Sequence, residues 1–172
     1  DELLVGMERY PKRKIVVAVA EESSVVGAIG EAVQRGIAEA VLVGNESEIR
    51  RLAKEAGVPL DGLTLVNEPE PVNAVSRAVS LVAGGEADIL MKGFIHTDDF
   101  LRGVLSKDCG LRTGSIMSHV FIAEMKSLDK LLFVTDCAMN IMPDLEQKAA
   151  ILLNAVHLAN IFGVVDDAER PW

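Results

Sequence analysis

The sequence alternates short apolar runs, rich in β-branched residues, with segments whose apolar residues recur at helical spacing. The first run, residues 15–20 (IVVAVA), is apolar throughout, which is typical of a strand buried on both faces of a parallel sheet. The alternation predicts the order β-α-β-α-β-α-β-α-β-β-α. We therefore expect an α/β fold with a mostly parallel sheet, helices on both of its faces and one antiparallel excursion near residues 125–130.

Local signals mark the ends of several predicted helices. Ser23 and Ser24 are suited to cap the first helix, and Thr97 is suited to cap the fourth. Asn45 with Glu48 resembles a capping box, with Asn in place of Ser or Thr. One face of the last predicted helix is lined by apolar residues, namely Leu145, Ala149, Leu152, Leu153, Val156 and Ala159.

The charge balance argues against a nucleic-acid partner. The 172 residues include 26 acidic and 17 basic ones, which gives a formal net charge of −9, and only 4% are aromatic. Nucleic-acid-binding proteins usually carry a basic face and use aromatic rings to stack on bases. An acidic chain still binds anions where a few residues make a local site.

Sequence features favour a cytoplasmic protein. The longest apolar stretch, residues 149–165, is interrupted by Asn154, His157 and Asn160, so we expect no membrane span. There is no signal peptide. Two cysteines, Cys109 and Cys137, do not make a disulfide framework, although a single disulfide between them stays an alternative. Because the first residue is Asp rather than Met, we expect a piece of a longer gene product.

Loops that follow predicted strands are the first places to look for a site, since ligands of open α/β sheets bind outside the carboxyl ends of strands. Residues 21–24 hold two glutamates and lack a glycine-rich phosphate loop, so we interpret them as a helix cap. Residues 92–97 (KGFIHT) offer an ammonium, a glycine and a helix N-terminus, which together suit an anion. The alternative is a solvent-facing lysine beside an ordinary turn.

Two further loops carry polar groups. In residues 110–119 (GLRTGSIMSH) the guanidinium of Arg112 suits phosphate or carboxylate and the hydroxyls can donate; a surface loop with a salt-bridged arginine is the alternative. In residues 136–140 (DCAMN), Asp136 can act as a base, orient a ligand or cap the loop. We interpret Cys137 as a buried, inert cysteine. The three histidines show no metal-ligand spacing, so we propose no metal site.

Three ordered motifs carry a family resemblance, and they lie at residues 87–97 (ADILMKGFIHT), 111–120 (LRTGSIMSHV) and 133–140 (FVTDCAMN). They resemble the phosphate acetyl/butyryltransferase family. The Lys92-Gly93 pair and residues 112–114 are closer to the butyryl branch than to the acetyl branch. Residues 10–45 also fit, so the resemblance covers nearly the whole chain.

The resemblance implies an enzyme that moves an acyl group between coenzyme A (CoA) and phosphate, by attack of the CoA thiolate on an acyl phosphate carbonyl. It implies no metal or redox cofactor, with CoA and phosphate as substrates, and a homodimer or larger assembly. It implies an isocitrate/isopropylmalate-dehydrogenase-like fold of two domains with the site in the cleft. Residues 1–142 would form one wall, and residues 143–172 would lead into a second domain that is absent here.

The matching positions also imply site residues. The expected substrate-binding residues are Lys92, Gly93, His96, Thr97, Arg112, Thr113, Gly114, Ser115, Ser118 and Asn140. The resemblance assigns no catalytic base, and Asp136 is a candidate for that role. A later Ser-Arg pair and a nearby Asp of the family, implicated in CoA and phosphate handling, have no counterpart in this sequence. The chain looks like the first half of the family's length, so we expect it to be inactive alone.

Two other functions compete with this one. A non-catalytic ligand-binding or assembly module of the same fold would give a stable oligomer without turnover. An oxidoreductase related by fold to isocitrate dehydrogenase would need a metal-binding acid cluster and a dinucleotide fingerprint. The sequence has neither, which argues against the oxidoreductase.

Overall fold

A four-stranded parallel sheet organises the first part of the chain. The computed structural model describes residues 11–107, 111–125 and 131–162. The chain divides into two compact units, residues 1–113 and residues 114–172. We describe each by itself. The sheet of unit 1 has the order β3-β2-β1-β4, and its strands are β1 (Arg13–Ala18), β2 (Ala38–Gly44), β3 (Leu63–Asn67) and β4 (Ile89–Lys92).

Four helices cover the two faces of this sheet: α1 (Ser23–Gln34), α2 (Glu46–Glu55), α3 (Pro71–Ala83) and α4 (Thr97–Val104). Successive strand residues point to opposite faces. Val17 and Leu42 therefore pack with α1 and α2 in one apolar cluster. Val16 and Val43 pack with α3 and α4 in the other. Because both faces are covered, the strands of this sheet are apolar nearly throughout.

The ends of the helices agree only in part with the predicted caps. Asn45 caps α2, since its side chain accepts a hydrogen bond from the backbone N–H of Glu48. The predicted serine cap of α1 is wrong, because the cap position is Glu22 and Ser23 is already helical. The predicted Thr97 cap of α4 is wrong for the same reason, since His96 holds the cap position and makes no side-chain cap bond.

Unit 2 contains an antiparallel pair of strands and the longest helix. Strands β5 (Val120–Glu124) and β6 (Leu131–Thr135) pair with Val120 opposite Thr135. Helix α5 (Leu145–Ile161) begins with a capping box between Asp144 and Gln147. It packs on β6, and the ring of Phe162 meets Phe133 edge to face at 5.9 Å between centroids.

The apolar face predicted for α5 is mostly exposed. Ile151 and Ala155 are the buried residues of this helix. Most of the large apolar side chains on and before the helix are exposed, namely Ile141, Met142, Leu145, Leu152, Leu153, Val156 and Ile161. Helical periodicity locates an apolar face, but it does not supply the surface that would cover it.

The order of elements and the mostly parallel sheet confirm the predicted α/β class. The antiparallel excursion is confirmed as the β5–β6 pair, which forms a sheet of its own. The boundary between the compact units lies after residue 113, and the division predicted after residue 142 stays a prediction. The dehydrogenase-like two-domain arrangement stays a prediction.

Candidate functional site

The switch point of the parallel sheet lies between β1 and β4. The chain runs from β1 outward to β2 and β3, and then returns to the other side of β1 as β4. In open α/β sheets, ligands bind where the direction of strand order reverses, outside the carboxyl ends of the two strands. Those ends lead into residues 19–22 and residues 93–96, so the Lys92-Gly93 motif stands at the position that the topology favours.

The backbone at this point is closely packed. The N–H of Gly93 donates to the carbonyl of Ala18 at 2.9 Å, and the N–H of Phe94 donates to the carbonyl of Val19 at 2.6 Å. A Cβ on Gly93 would lie 2.1 Å from the Val19 carbonyl oxygen, so only glycine fits. Val19 is a buried, β-branched residue at φ 58°, a conformation that is strained for its type. Such strain is often stored at functional sites.

Lys92 extends from the end of β4 over the loop that follows it. Its Nζ donates to the carbonyl oxygens of Ile95 at 2.8 Å and Gly93 at 3.3 Å. An ammonium has three N–H donors, so two hold the loop and one is left for a ligand. The side chain is exposed. Lys92 therefore combines a loop-bracing role with a positive charge at the switch point.

The start of α4 has features that both favour and oppose an anion. His96 and Thr97 are exposed at the positively polarised end of the helix. Asp98 and Asp99 occupy the first turn, where they stabilise the helix but repel an anion. Asp99 is paired with Arg102 at 2.7 Å, which reduces its repulsion.

Arg112 follows Leu111, whose side chain packs against the α3 and α4 side of the sheet. In the ranges that the structure describes, the Arg112 guanidinium has no ion-pair or hydrogen-bond partner, whereas most other described arginines pair with carboxylates. The predicted salt-bridged alternative is thus not seen there. Arg77 also has no carboxylate partner in the described ranges, so it is a suitable control for substitutions of Arg112.

The boundary between the units falls inside the second motif, residues 111–120. Arg112 and Thr113 belong to unit 1, whereas Gly114, Ser115 and Ser118 belong to unit 2. Gly114 has φ +83°, a left-handed conformation that favours glycine and turns the chain here.

Asp136 and Asn140 form a network with the loop before β5. The Asn140 amide donates to the Asp136 carboxylate and, at 2.9 Å, to the carbonyl of Met117. The backbone N–H groups of Ala138 and Met139 donate to Asp136 at 3.1 Å each. Both hydrogens of the Asn140 amide are thereby engaged, which leaves its oxygen as the atom available to a ligand.

This environment makes Asp136 a poor proton acceptor at neutral pH. Burial alone would raise the pKa of Asp136, but hydrogen bonds from Asn140, Ala138, Met139 and the His119 backbone outweigh it and lower the pKa to about 2. A general base works best with a pKa near the operating pH. The geometry favours Asp136 as the anchor of the loop, and its role as a base stays a prediction.

Two features were missed or misjudged from the sequence. Cys137 is exposed, not buried as predicted; Cys109 lies outside the described residues. The carboxylate of Glu21 packs over Gly44 and accepts from the N–H of Asn45 at 2.6 Å, so it braces β1 against β2. Glycine directly after an apolar strand was the available signal for this close approach.

A shallow cavity of about 420 Å³ lies beside the N-terminus of α2, and the residues that line it are Asn45, Glu46, Ser47, Arg50, Asn67 and Pro69. It contains none of the predicted site residues.

Among the residues described, no cluster of three or more His, Cys, Asp or Glu side chains could hold a metal ion. In those same ranges no helix is long and apolar enough to cross a membrane.

Comparisons with known proteins agree with the motifs. The family model described as phosphate acetyl/butaryl transferase matches residues 2–77 and 68–167. The phosphate butyryltransferase of Clostridium acetobutylicum is 40% identical over 171 residues, which are 99% of this chain and 57% of that protein. The phosphate butyryltransferase of Clostridium beijerinckii is 42% identical over 164 residues, 95% of this chain and 54% of that protein.

A solved structure supports the same relationship. The branched-chain phosphotransacylase from Enterococcus faecalis superposes with a TM-score of 0.72 at 26% identity, covering 86% of this chain and 51% of that one. The chain therefore spans about half the length of the curated relatives it matches.

Proposed function

Because the chain belongs to the phosphate acetyl/butyryl transferase family, we propose that it supplies the phosphate- and CoA-binding part of a phosphate acyltransferase. The reaction is acyl-CoA plus phosphate to acyl phosphate plus CoA. A phosphate oxygen attacks the thioester carbonyl, the C–O bond forms, the C–S bond breaks, and the CoA thiolate leaves and takes up a proton. Both acyl acceptors are anionic, so cationic groups are the first requirement of the site.

The observation that carries this proposal is the cationic switch-point loop. Lys92 lies at the carboxyl end of β4 with one ammonium N–H left over from its two loop carbonyls. Arg112 brings a guanidinium without a carboxylate partner in the described ranges, and its planar fork matches phosphate oxygens. In a chain with net charge −9, two such exposed cations are good candidates for an anionic substrate.

We assign the roles as follows. Arg112 and Lys92 hold phosphate oxygens, and the hydroxyl of Ser118 donates to the substrate. Asp136 and Asn140 hold the loop. The group that protonates the departing CoA thiolate, which removes the thiol proton in the reverse direction, lies outside these roles. This fits a chain that spans about half of its relatives.

Binding and turnover test the proposal separately. We expect CoA to bind the chain and Arg112→Met to weaken that binding by about 10-fold or more, because charge-assisted hydrogen bonds are the strong ones. Arg77→Met removes an exposed arginine that also lacks a carboxylate partner in the described part of the chain, and it should leave the affinity unchanged. Equal effects of the two variants, or no binding by the unsubstituted chain, would contradict the proposal.

Turnover is measured as phosphate-dependent release of CoA thiol from butyryl-CoA, with acetyl-CoA alongside. Release would mean that these residues contain a sufficient site. Binding without release would mean that the chain is a catalytically incomplete part. NAD(P) binding in place of CoA would instead support the oxidoreductase alternative.

A second role in assembly is favoured by the exposed apolar side chains of α5. Leu145 is 83% exposed and Leu153 is 67% exposed, which is unusual for side chains of this size. We propose that this face is covered in an assembly of two or more copies in the cytoplasm. Light scattering after gel filtration measures the mass, and a monomer at micromolar concentration would contradict this role.

A further inference from the structure

Helix α5 reaches back to the loop before β5 through one side chain. Asn154 lies in the middle of α5, and its Nδ2 donates to the carbonyl of Ile116 at 3.1 Å and to the Oγ of Ser118 at 2.9 Å. These partners are 38 and 36 positions away in the sequence. Both hydrogens of the amide are thus committed to one short stretch of loop.

A second asparagine holds the same stretch from another direction. Asn140 donates to the carbonyl of Met117, the residue next to Ile116, at 2.9 Å. The carbonyls of two consecutive loop residues are therefore fixed by side chains from two separate elements. A loop held in this way keeps one backbone conformation, and the hydroxyl of Ser118 is kept at one place within it.

The residue type at position 154 is costly without these contacts. Asn is a poorer helix former than Leu or Ala, and its neighbours Leu152 and Leu153 are apolar and exposed. The two hydrogen bonds to the loop give it a specific structural role.

The direction of the bond to Ser118 bears on substrate binding. The hydroxyl oxygen accepts from Asn154, so the hydroxyl hydrogen points away from that amide and is left to donate elsewhere. We propose that Asn154 is a positioning residue, which holds the loop of residues 116–118 so that the Ser118 hydroxyl donates to a phosphate oxygen of the substrate. This inference rests on the proposed function.

The test compares Asn154→Ala with Asn160→Ala, by amide NMR on the whole chain. Asn160 is exposed on the same helix and makes no side-chain hydrogen bond within the described ranges, so both variants remove an exposed asparagine from α5 but only one loses contacts with the loop. We expect the backbone amide of His119, which donates to Asp136, to exchange about 10-fold faster in Asn154→Ala only. Titration with inorganic phosphate should show an affinity about 3- to 10-fold lower in that variant.

A double-mutant cycle separates positioning from general stability. In a Ser118→Ala background, Asn154→Ala should cause little further loss of phosphate affinity, because the group that it positions is already gone. Additive losses would overturn the proposal, as would equal exchange rates in Asn154→Ala and Asn160→Ala. Phosphate affinity that Asn154→Ala leaves unchanged would overturn the positioning role alone, whereas absence of phosphate binding by the unsubstituted chain would overturn the proposed function and this role with it.

Discussion

The close approach of Gly93 to β1 gives the sharpest stability prediction. In Gly93→Ala the new Cβ would lie 2.1 Å from the Val19 carbonyl oxygen and 2.8 Å from that of Ala18. Both obstacles are backbone atoms of a buried segment, so no side chain can swing aside. The loop must retreat by about 1.3 Å to reach an ordinary separation of about 3.4 Å.

That retreat has two costs. Overpacking of this kind typically costs about 1–3 kcal/mol. The retreat also stretches the hydrogen bonds from Gly93 to Ala18 and from Phe94 to Val19, each with a net value of about 1 kcal/mol. We therefore expect Gly93→Ala to lower the free energy of unfolding by about 2–4 kcal/mol.

Urea denaturation followed by circular dichroism measures this change, and Gly27→Ala is the matched control. Gly27 lies inside α1, and a Cβ there meets nothing within 4 Å. The same substitution should therefore raise the free energy of unfolding by about 0.5–1 kcal/mol. If Gly93→Ala proves as stable as the unsubstituted chain, the close approach that defines the switch-point loop is refuted.

Two more predictions concern single polar groups. Asn45→Ala removes the cap of α2 and should lower the free energy of unfolding by about 1 kcal/mol in the same urea assay, whereas Asn45→Asp keeps the acceptor and should match the unsubstituted chain. Hydrogen bonds lower the pKa of Asp136 to about 2 against an opposing effect of burial. Ionised Asp136 therefore stabilises its loop fully above its ordinary value near 3.8, and this contribution is lost as pH falls towards 2. The amide proton signals of Ala138 and Met139 should titrate with a midpoint near 2 and lose that titration in Asp136→Asn, and a midpoint near 4 would contradict the network.

Periodicity predicted the fold well because unit 1 buries both faces of its sheet. Fully apolar runs such as residues 15–20 have few stable alternatives to a covered parallel strand. The rule for carboxyl ends of strands then selected the Lys92-Gly93 loop, and the observed strand order puts this loop at the switch point. Helix caps were harder, because Ser23 and Thr97 differ from true caps only in backbone angles.

Contacts between residues that are far apart in the sequence could not be predicted from it. Asn154 entered the sequence analysis as an interruption of an apolar stretch, and nothing local indicated its bonds to residues 116 and 118. The charge of Asp136 was visible, but the four donors that lower its pKa come together only when the loop and β6 are folded. The exposure of the apolar face of α5 could not be predicted for the same reason. Helical periodicity shows which residues share a face, but it does not show whether another surface packs against that face.

The placement of β1 in the middle of its sheet has a consequence for the order of events during synthesis. On one side β1 pairs with β2, which follows after a single helix, but on the other side it pairs with β4, with Ile15 opposite Ile89. Until residue 92 has left the ribosome, that edge of an apolar strand has no neighbour to receive its hydrogen bonds. Unpaired edges of this kind attract other chains, so the nascent protein is most vulnerable to misassociation in the interval between the completion of β3 and the arrival of β4.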